Sequence, residues 1–151
     1  MTKNGLKVVA AVAALGVAGC GGGDSNKTLS YSDFSKQANE ICKTENPKIK
    51  AVSTKLTGKA TSDAPVYDEL LPTLQDARDK FDDLKAPDEL KPSFTTFLSL
   101  TDQLIAQAKE AQTTAKTGDD AAYVAVLKAT QPIGKQADAA ASKMGAVECT
   151  K

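Results

Sequence analysis

Six acids crowd one short stretch of the chain: Asp76, Asp79, Asp82, Asp83, Asp88 and Glu89. Carboxylates at that density can chelate calcium or work as a paired acid and base. The spacing lacks the glycine turn and the closing Glu of a calcium loop. Lys80, Lys85 and Lys91 interleave with the acids, so the stretch reads as a solvated, charge-balanced face. Lys36, Lys43, Lys48, Lys50 and Lys55 could touch anionic headgroups or wall polymer, but acids are interspersed there too. Ser and Thr are plentiful, yet the chain has no His. That removes the commonest general base and the commonest metal ligand. Ser-His and Cys-His pairs and His-ligated zinc, haem and copper go with it, and nothing points to a Ser-Lys pair. Nineteen basic residues balance nineteen acidic ones, so no positive excess favours nucleic acid. The expectation is no catalytic residue, no metal site and no cofactor.

The N-terminus carries a different chemistry. Lys3 and Lys7 precede a wholly apolar or Gly run from Val8 to Val17, and Ala18 and Gly19 then precede Cys20. A basic start, a short apolar run and small residues are the layout of a secretory signal. A membrane span needs about 20 apolar residues, and this run meets Gly21-Gly22-Gly23 too soon. Val17-Ala18-Gly19-Cys20 closely resembles the lipobox of bacterial lipoproteins, over the first twenty residues of the chain. The resemblance implies a diacylglycerol on the Cys20 sulfur, cleavage just before Cys20, and often a third acyl chain on the new N-terminus. Each buried methylene adds about 0.8 kcal/mol, so two or more chains anchor stably where one does not. Residues 1–19 are then signal peptide, 20–29 the lipidated end and a flexible Gly/Ser/Asn tether, and 30–151 the folded domain. Loss of Lys3 and Lys7 from the 19 basic residues leaves 17 against 19 acidic in the mature chain.

Four helices are expected in that domain. Ser30 can cap the first, with Asp33 at the third position and Leu29 stapled to Phe34. Phe34, Ala38, Ile41, Cys42, Ile49, Val52 and Leu56 follow at helical spacing, and Gly58 fits the residue just past the end. Ser62 or Asp63 caps the second helix, whose stripe is Val66, Leu70, Leu74, Ala77, Phe81 and Leu84, and Ala86-Pro87 breaks the chain. Leu90, Phe94, Phe97, Thr101, Leu104, Ala108, Ala111 and Ala115 form a heptad-like seam ending at Gly118. Asp119 or Asp120 caps the Ala-rich fourth helix, with Tyr123, Val126, Thr130, Ile133, Ala137, Ala140 and Met144 inward and Gly145 at its end. No run of alternating apolar and β-branched residues is long enough for a strand. Short connections imply antiparallel neighbours, so the fold class is all-α, an up-down-up-down four-helix bundle. Its 151 residues suit one domain.

With Cys20 lipidated, Cys42 and Cys149 remain, both on the oxidising side of the membrane. Their disulfide would close a long loop and stabilise by roughly 4–5 kcal/mol in the chain-entropy account. From the Gly58/Gly118 end, Cys42 stands about 22 Å up the first helix and Gly145 about 37 Å up the fourth. If Gly145 reverses the chain, Ala146 to Cys149 descend about 13 Å beside the first helix, and the two sulfurs meet. Val147 would pin this tail. The body also resembles the small helical lipoproteins of actinobacterial type, which join an Ala-x-x-x-Cys segment early in the first helix to a Cys near the chain end. Here that segment is Ala38-Asn39-Glu40-Ile41-Cys42. The resemblance supplies no activity.

Pro47, Pro72 and Pro132 each interrupt a helical pattern at nearly one height, and an interior Pro costs about 3 kcal/mol. Three kinks at one level could splay the bundle and open an apolar pocket near Leu70, Leu74, Leu104, Ala108 and Ile133. The first functional expectation is a membrane-anchored, extracytoplasmic, non-catalytic module that binds another envelope component. The alternative is a carrier or sensor of a small apolar ligand within the kinked bundle.

Overall fold

The computed structural model describes residues 28–151; the lipobox, Cys20 and the glycine-rich stretch after it lie outside the described residues. Within them the chain is an all-α helical bundle with no strand. It has α1 (Tyr31–Ser53), α2 (Ala60–Asp63), α3 (Val66–Asp82), α4 (Lys91–Thr117), α5 (Asp120–Lys143) and a final 3-10 turn (Val147–Thr150).

The helix ends follow from side-chain chemistry. Ser30 caps α1, its hydroxyl oxygen accepting the Asp33 N–H at 3.1 Å, and Asp119 caps α5, accepting the Ala122 N–H at 3.0 Å. Gly118 and Gly145 close α4 and α5 at φ 77° and 71°. After α5, Ala146 N–H bonds Ala141 O and Gly145 N–H bonds Ser142 O. This is the paired closure that a left-handed glycine permits. Leu29, placed by the sequence reading at the end of the tether, packs against the core, and its N–H bonds Lys85 O at 3.0 Å.

Five α-helices replace the four expected. The extra one, α2, lies in a connection that was expected to be plain loop. Gly58 is left-handed at φ 82°, but α1 has already stopped at Ser53, so Gly58 serves the loop. Asp63 does not cap the next helix. Its carboxylate turns back to accept Thr57 N–H at 2.7 Å and Gly58 N–H at 2.8 Å. Those bonds hold the chain in a loop past the end of α1, and Pro65 is left at the cap position of α3.

The core divides into two clusters. One draws on Phe34, Ala38 and Cys42 of α1, Phe81 of α3, Phe94 and Phe97 of α4, and Ala137, Ala141 and Met144 around the end of α5. The other gathers Val52, Ala60, Tyr67, Leu70, Ala108, Ala111, Ala115 and Tyr123. Edge-on ring pairs sit in both: Phe34–Phe94 at 5.1 Å, Phe81–Phe97 at 4.9 Å, Tyr67–Tyr123 at 6.3 Å. Each such pair adds about 0.5–1.5 kcal/mol beyond its buried area.

Cys42 and Cys149 are joined, their α-carbons 5.0 Å apart. Gly145 does reverse the chain, but the tail forms a 3-10 turn where an extended run was expected, and Val147 is exposed. Ala146, fully buried, does the packing. A polar stripe of α1 does the rest. Ser35 Oγ donates to Met144 O at 2.7 Å, and Asn39 Nδ2 to Gly145 O at 2.8 Å. Asn39 Oδ1 accepts Glu148 N–H at 2.8 Å, and Asn46 Nδ2 donates to Glu148 O at 3.0 Å. With Cys42, these residues recur at spacings of four, three and four, so one face of α1 is built to hold the tail.

Candidate functional site

Where the two clusters meet, α1, α3, α4, α5 and the tail surround a cavity of about 240 Å³. Its walls are mostly apolar: Ile49, Leu74, Ala77, Phe81, Phe97, Leu104, Ile105 and Ala137, with Gly134 and the cystine of Cys42 and Cys149. A broader groove of about 390 Å³ between α4 and α5 is shallow, since only Leu100 and Ala140 of its lining are buried.

The sequence leaves this level of the bundle underfilled. Thr101 and Leu104 fall on the α4 seam yet stay half-buried, as do Val126, Thr130 and Ile133 on the α5 seam. Gly134 lies inside α5, and a Cβ placed there would meet nothing within 4 Å. No close backbone approach explains that glycine; its missing side chain leaves open space. Pro47 follows Asn46, and Pro72 and Pro132 come two residues before Leu74 and Gly134, so each interior proline adjoins the lining.

Four of the five polar side chains in the wall, Glu45, Asn46, Arg78 and Thr101, are already engaged, and the fifth, Asp138, is exposed. Glu45 is 1% exposed, and its Oε1 accepts Lys80 Nζ at 2.7 Å and Lys48 Nζ at 2.9 Å. Burial pushes its carboxyl up, but the bonds from Lys80 and Lys48 outweigh that and hold it below the ordinary range. Arg78, the chain's one arginine, donates from Nε to Asp102 at 2.8 Å and pairs with Asp82 at 3.3 Å. The Asp102 bond is the main cause holding this guanidinium above its usual value. Asn46 is spent on the tail, and Thr101 Oγ1 donates to Phe97 O at 2.9 Å. Among the described residues, no buried side-chain polar atom lacks a partner.

A second buried polar group lies in the tyrosine cluster. Asp63 accepts Tyr123 OH at 2.9 Å besides the Thr57 and Gly58 donors, and Tyr123 OH lies 3.0 Å from Tyr67 OH. Burial opposes the Asp63 charge, yet the Thr57 bonds lead a set that keeps its pKa below the ordinary value. Burial pushes both phenols up, so both stay neutral. This chain of bonds fastens α2, α3 and α5 to the loop after α1.

The sequence-flagged acids do not converge. Asp76 pairs with Lys80, Asp82 with Arg78, and Asp88 with Lys91. Lys43 pairs with Glu40, Lys48 with Glu45, and Lys55 with Glu69. Among the described residues, no three His, Cys, Asp or Glu side chains come together as a metal site. Of the residues expected around a pocket, Leu74 and Leu104 line the cavity. Leu70 and Ala108 fill the tyrosine cluster, and Ile133 packs on the phenylalanine cluster beside Gly134. Cys42 and Cys149, expected only as a crosslink, also form part of the wall, while Cys20 lies outside the described residues. Glu45, Asn46, Arg78 and Gly134 were not anticipated there. Glu45 was legible as a charged residue on the seam that runs through Ala38, Cys42, Ile49 and Val52. No family model, curated protein or solved structure matches the chain.

Proposed function

We propose that this chain is a bacterial lipoprotein held by acyl chains on Cys20 at the extracytoplasmic face of the cell membrane, where its bundle carries or senses a small apolar ligand. The ligand reading rests on one observation, the mid-level cavity of about 240 Å³ with apolar walls. Sites for small molecules are concave and mostly apolar with a few fixed polar groups. The anchor rests on Val17-Ala18-Gly19-Cys20 and the residues before it. No helix among the described residues is long and apolar enough to cross a membrane; acyl chains on Cys20 would supply the attachment. The cystine suits an oxidising compartment.

The long helices α1, α3, α4 and α5 are read as an up-down-up-down bundle bent at Pro47, Pro72 and Pro132. In support, Phe34 near the start of α1 shares a cluster with Phe81 near the end of α3, Phe94 near the start of α4 and Met144 just past α5. The opposite ends share the tyrosine cluster. The module is read as non-catalytic, with no nucleic-acid partner; Thr101, the one hydroxyl in the wall, is spent on a helix carbonyl. A second reading, docking to another envelope protein, draws on Tyr31 and Val147, which are 46% and 52% exposed.

Two measurements test the proposal. Cys20→Ser should release the chain from membranes or block its processing, and unchanged fractionation and mass would remove the anchor. Native mass spectrometry of chain drawn from its own envelope should show added mass that organic extraction removes. A bare mass, with a crosslinked protein partner instead, would favour docking.

A further inference from the structure

We infer that the cavity selects a compact, neutral, apolar ligand of about two fused rings and turns away the same skeleton bearing a charge of either sign. This rests on the ligand reading above and narrows it. The size comes from volume: a dry cavity of about 150 Å³ accepts benzene, and 240 Å³ leaves room for a second ring. Neutrality comes from the wall. Glu45 is the buried anion there, and Lys48 and Lys80 already hold it. A ligand cation aimed at Glu45 would meet those two ammonium groups. Arg78 is the cation, and Asp82 and Asp102 already hold it. A ligand anion aimed at Arg78 would have to displace a carboxylate, and would face Asp138 and Glu45 in the same lining. Asp138, the one carboxylate of the lining with no side-chain partner, is exposed, so a cation paired with it stays in solvent; against the apolar walls either charge would find no free partner, which is costly. A neutral ring system can lie on the apolar walls and the cystine, and the bare face of Gly134 gives it space.

The test uses the disulfide-closed full chain and methyl NMR at Leu74, Leu104 and Ile105. The probes are naphthalene, 2-naphthoate, 2-naphthylmethylammonium and decanoate. Naphthalene should shift these methyls and bind at least about tenfold tighter than any charged probe. A charged probe binding as well as naphthalene overturns the selection while the ligand reading stands; decanoate winning would make the site one for acyl chains. No probe shifting these methyls overturns both. Gly134→Leu should keep the fold, since its Cβ meets nothing, and abolish the naphthalene shifts. Leu104→Phe fills the same space from α4 and guards against a folding defect in the first variant. Shifts that persist in folded Gly134→Leu and Leu104→Phe would put the ligand elsewhere and overturn the inference.

Discussion

Two glycines of the same chain should respond to alanine with opposite signs. Gly145 sits at φ 71°, and an added Cβ would stand 2.8 Å from Ser35 Oγ and 3.1 Å from the Tyr31 hydroxyl. Gly145→Ala should destabilise by about 1–3 kcal/mol through the left-handed strain and the contact. Gly134 is helical with open space around it, so Gly134→Ala should stabilise by about 0.5–1 kcal/mol. Urea unfolding of both variants measures this, and equal signs would contradict the assignment of either glycine. The buried carboxylates make the second residue-scale case. Asp63 and Glu45 are held below their ordinary values of 3.8 and 4.5 in the folded chain. The native state therefore binds fewer protons than the unfolded one, and the stability these groups give is present above that range and drains as pH falls below it. Asp63→Asn should cost about 2–3 kcal/mol at neutral pH, because an amide cannot accept the Thr57 N–H and hydroxyl, the Gly58 N–H and the Tyr123 OH together, and should flatten the acid limb of stability against pH. An unchanged acid limb would show that Asp63 is not the group responsible. Gly145 was legible in the sequence because a glycine ending an apolar period has one usual use. Glu45 stood out only as a charge on an apolar seam, and its bond to Lys80 and that of Asp63 to Tyr123 were not legible, since those partners lie 35 and 60 residues away and no local pattern announces them.

At the scale of elements, apolar period located all four long helices, because each buries a stripe along most of its length. It could not find α2, four residues that carry no period. Nor could it show that the tail is held by hydrogen bonds, because the docking face of α1 is polar and period counting discards polar residues. Ser35, Asn39 and Asn46 change what the crosslink does. Opening Cys42–Cys149 should lower stability by a few kcal/mol, chiefly by freeing the unfolded chain. The folded tail should nonetheless stay docked, since Ala146 remains buried and three side chains of α1 still hold its backbone. Asn39 is the sharper lever, bonding Gly145 O and Glu148 N–H at once. Asn39→Ala should speed hydrogen exchange at the Glu148 amide even in the oxidised chain, and combined with Cys149→Ser it should release the tail. If Cys149→Ser alone frees Ala146 to Thr150, the hydrogen bonds contribute little.

At the scale of the whole molecule, the cavity and the divided core are one fact. A heptad seam reads in sequence as a continuous stripe, so the α4 seam gave no sign of a break. In the structure Thr101 and Leu104 are half-buried while Leu100 and Ile105 beside them are buried, so the inward face of α4 shifts at the level of the cavity. Above and below it the clusters differ in what secures them. The phenylalanine end carries the cystine, the docked tail and two aromatic pairs. The tyrosine end carries one aromatic pair, several alanines and the Asp63 hydrogen bonds. The two clusters have no core residue in common, so opening one end should sacrifice little of the other, and weakly coupled regions open separately. Native-state hydrogen exchange at rising denaturant should therefore resolve two openings. Amides around Leu70 and Ala111 should exchange through the lower-energy one, and those around Ala38 and Ala141 only through global unfolding. A ligand that fills the cavity bridges both clusters, so saturating naphthalene should draw the two opening free energies together as well as raise them. A single opening free energy in the free chain would mean that α4 and α5, which run through both clusters, couple them despite the gap, and that the cavity does not divide the fold.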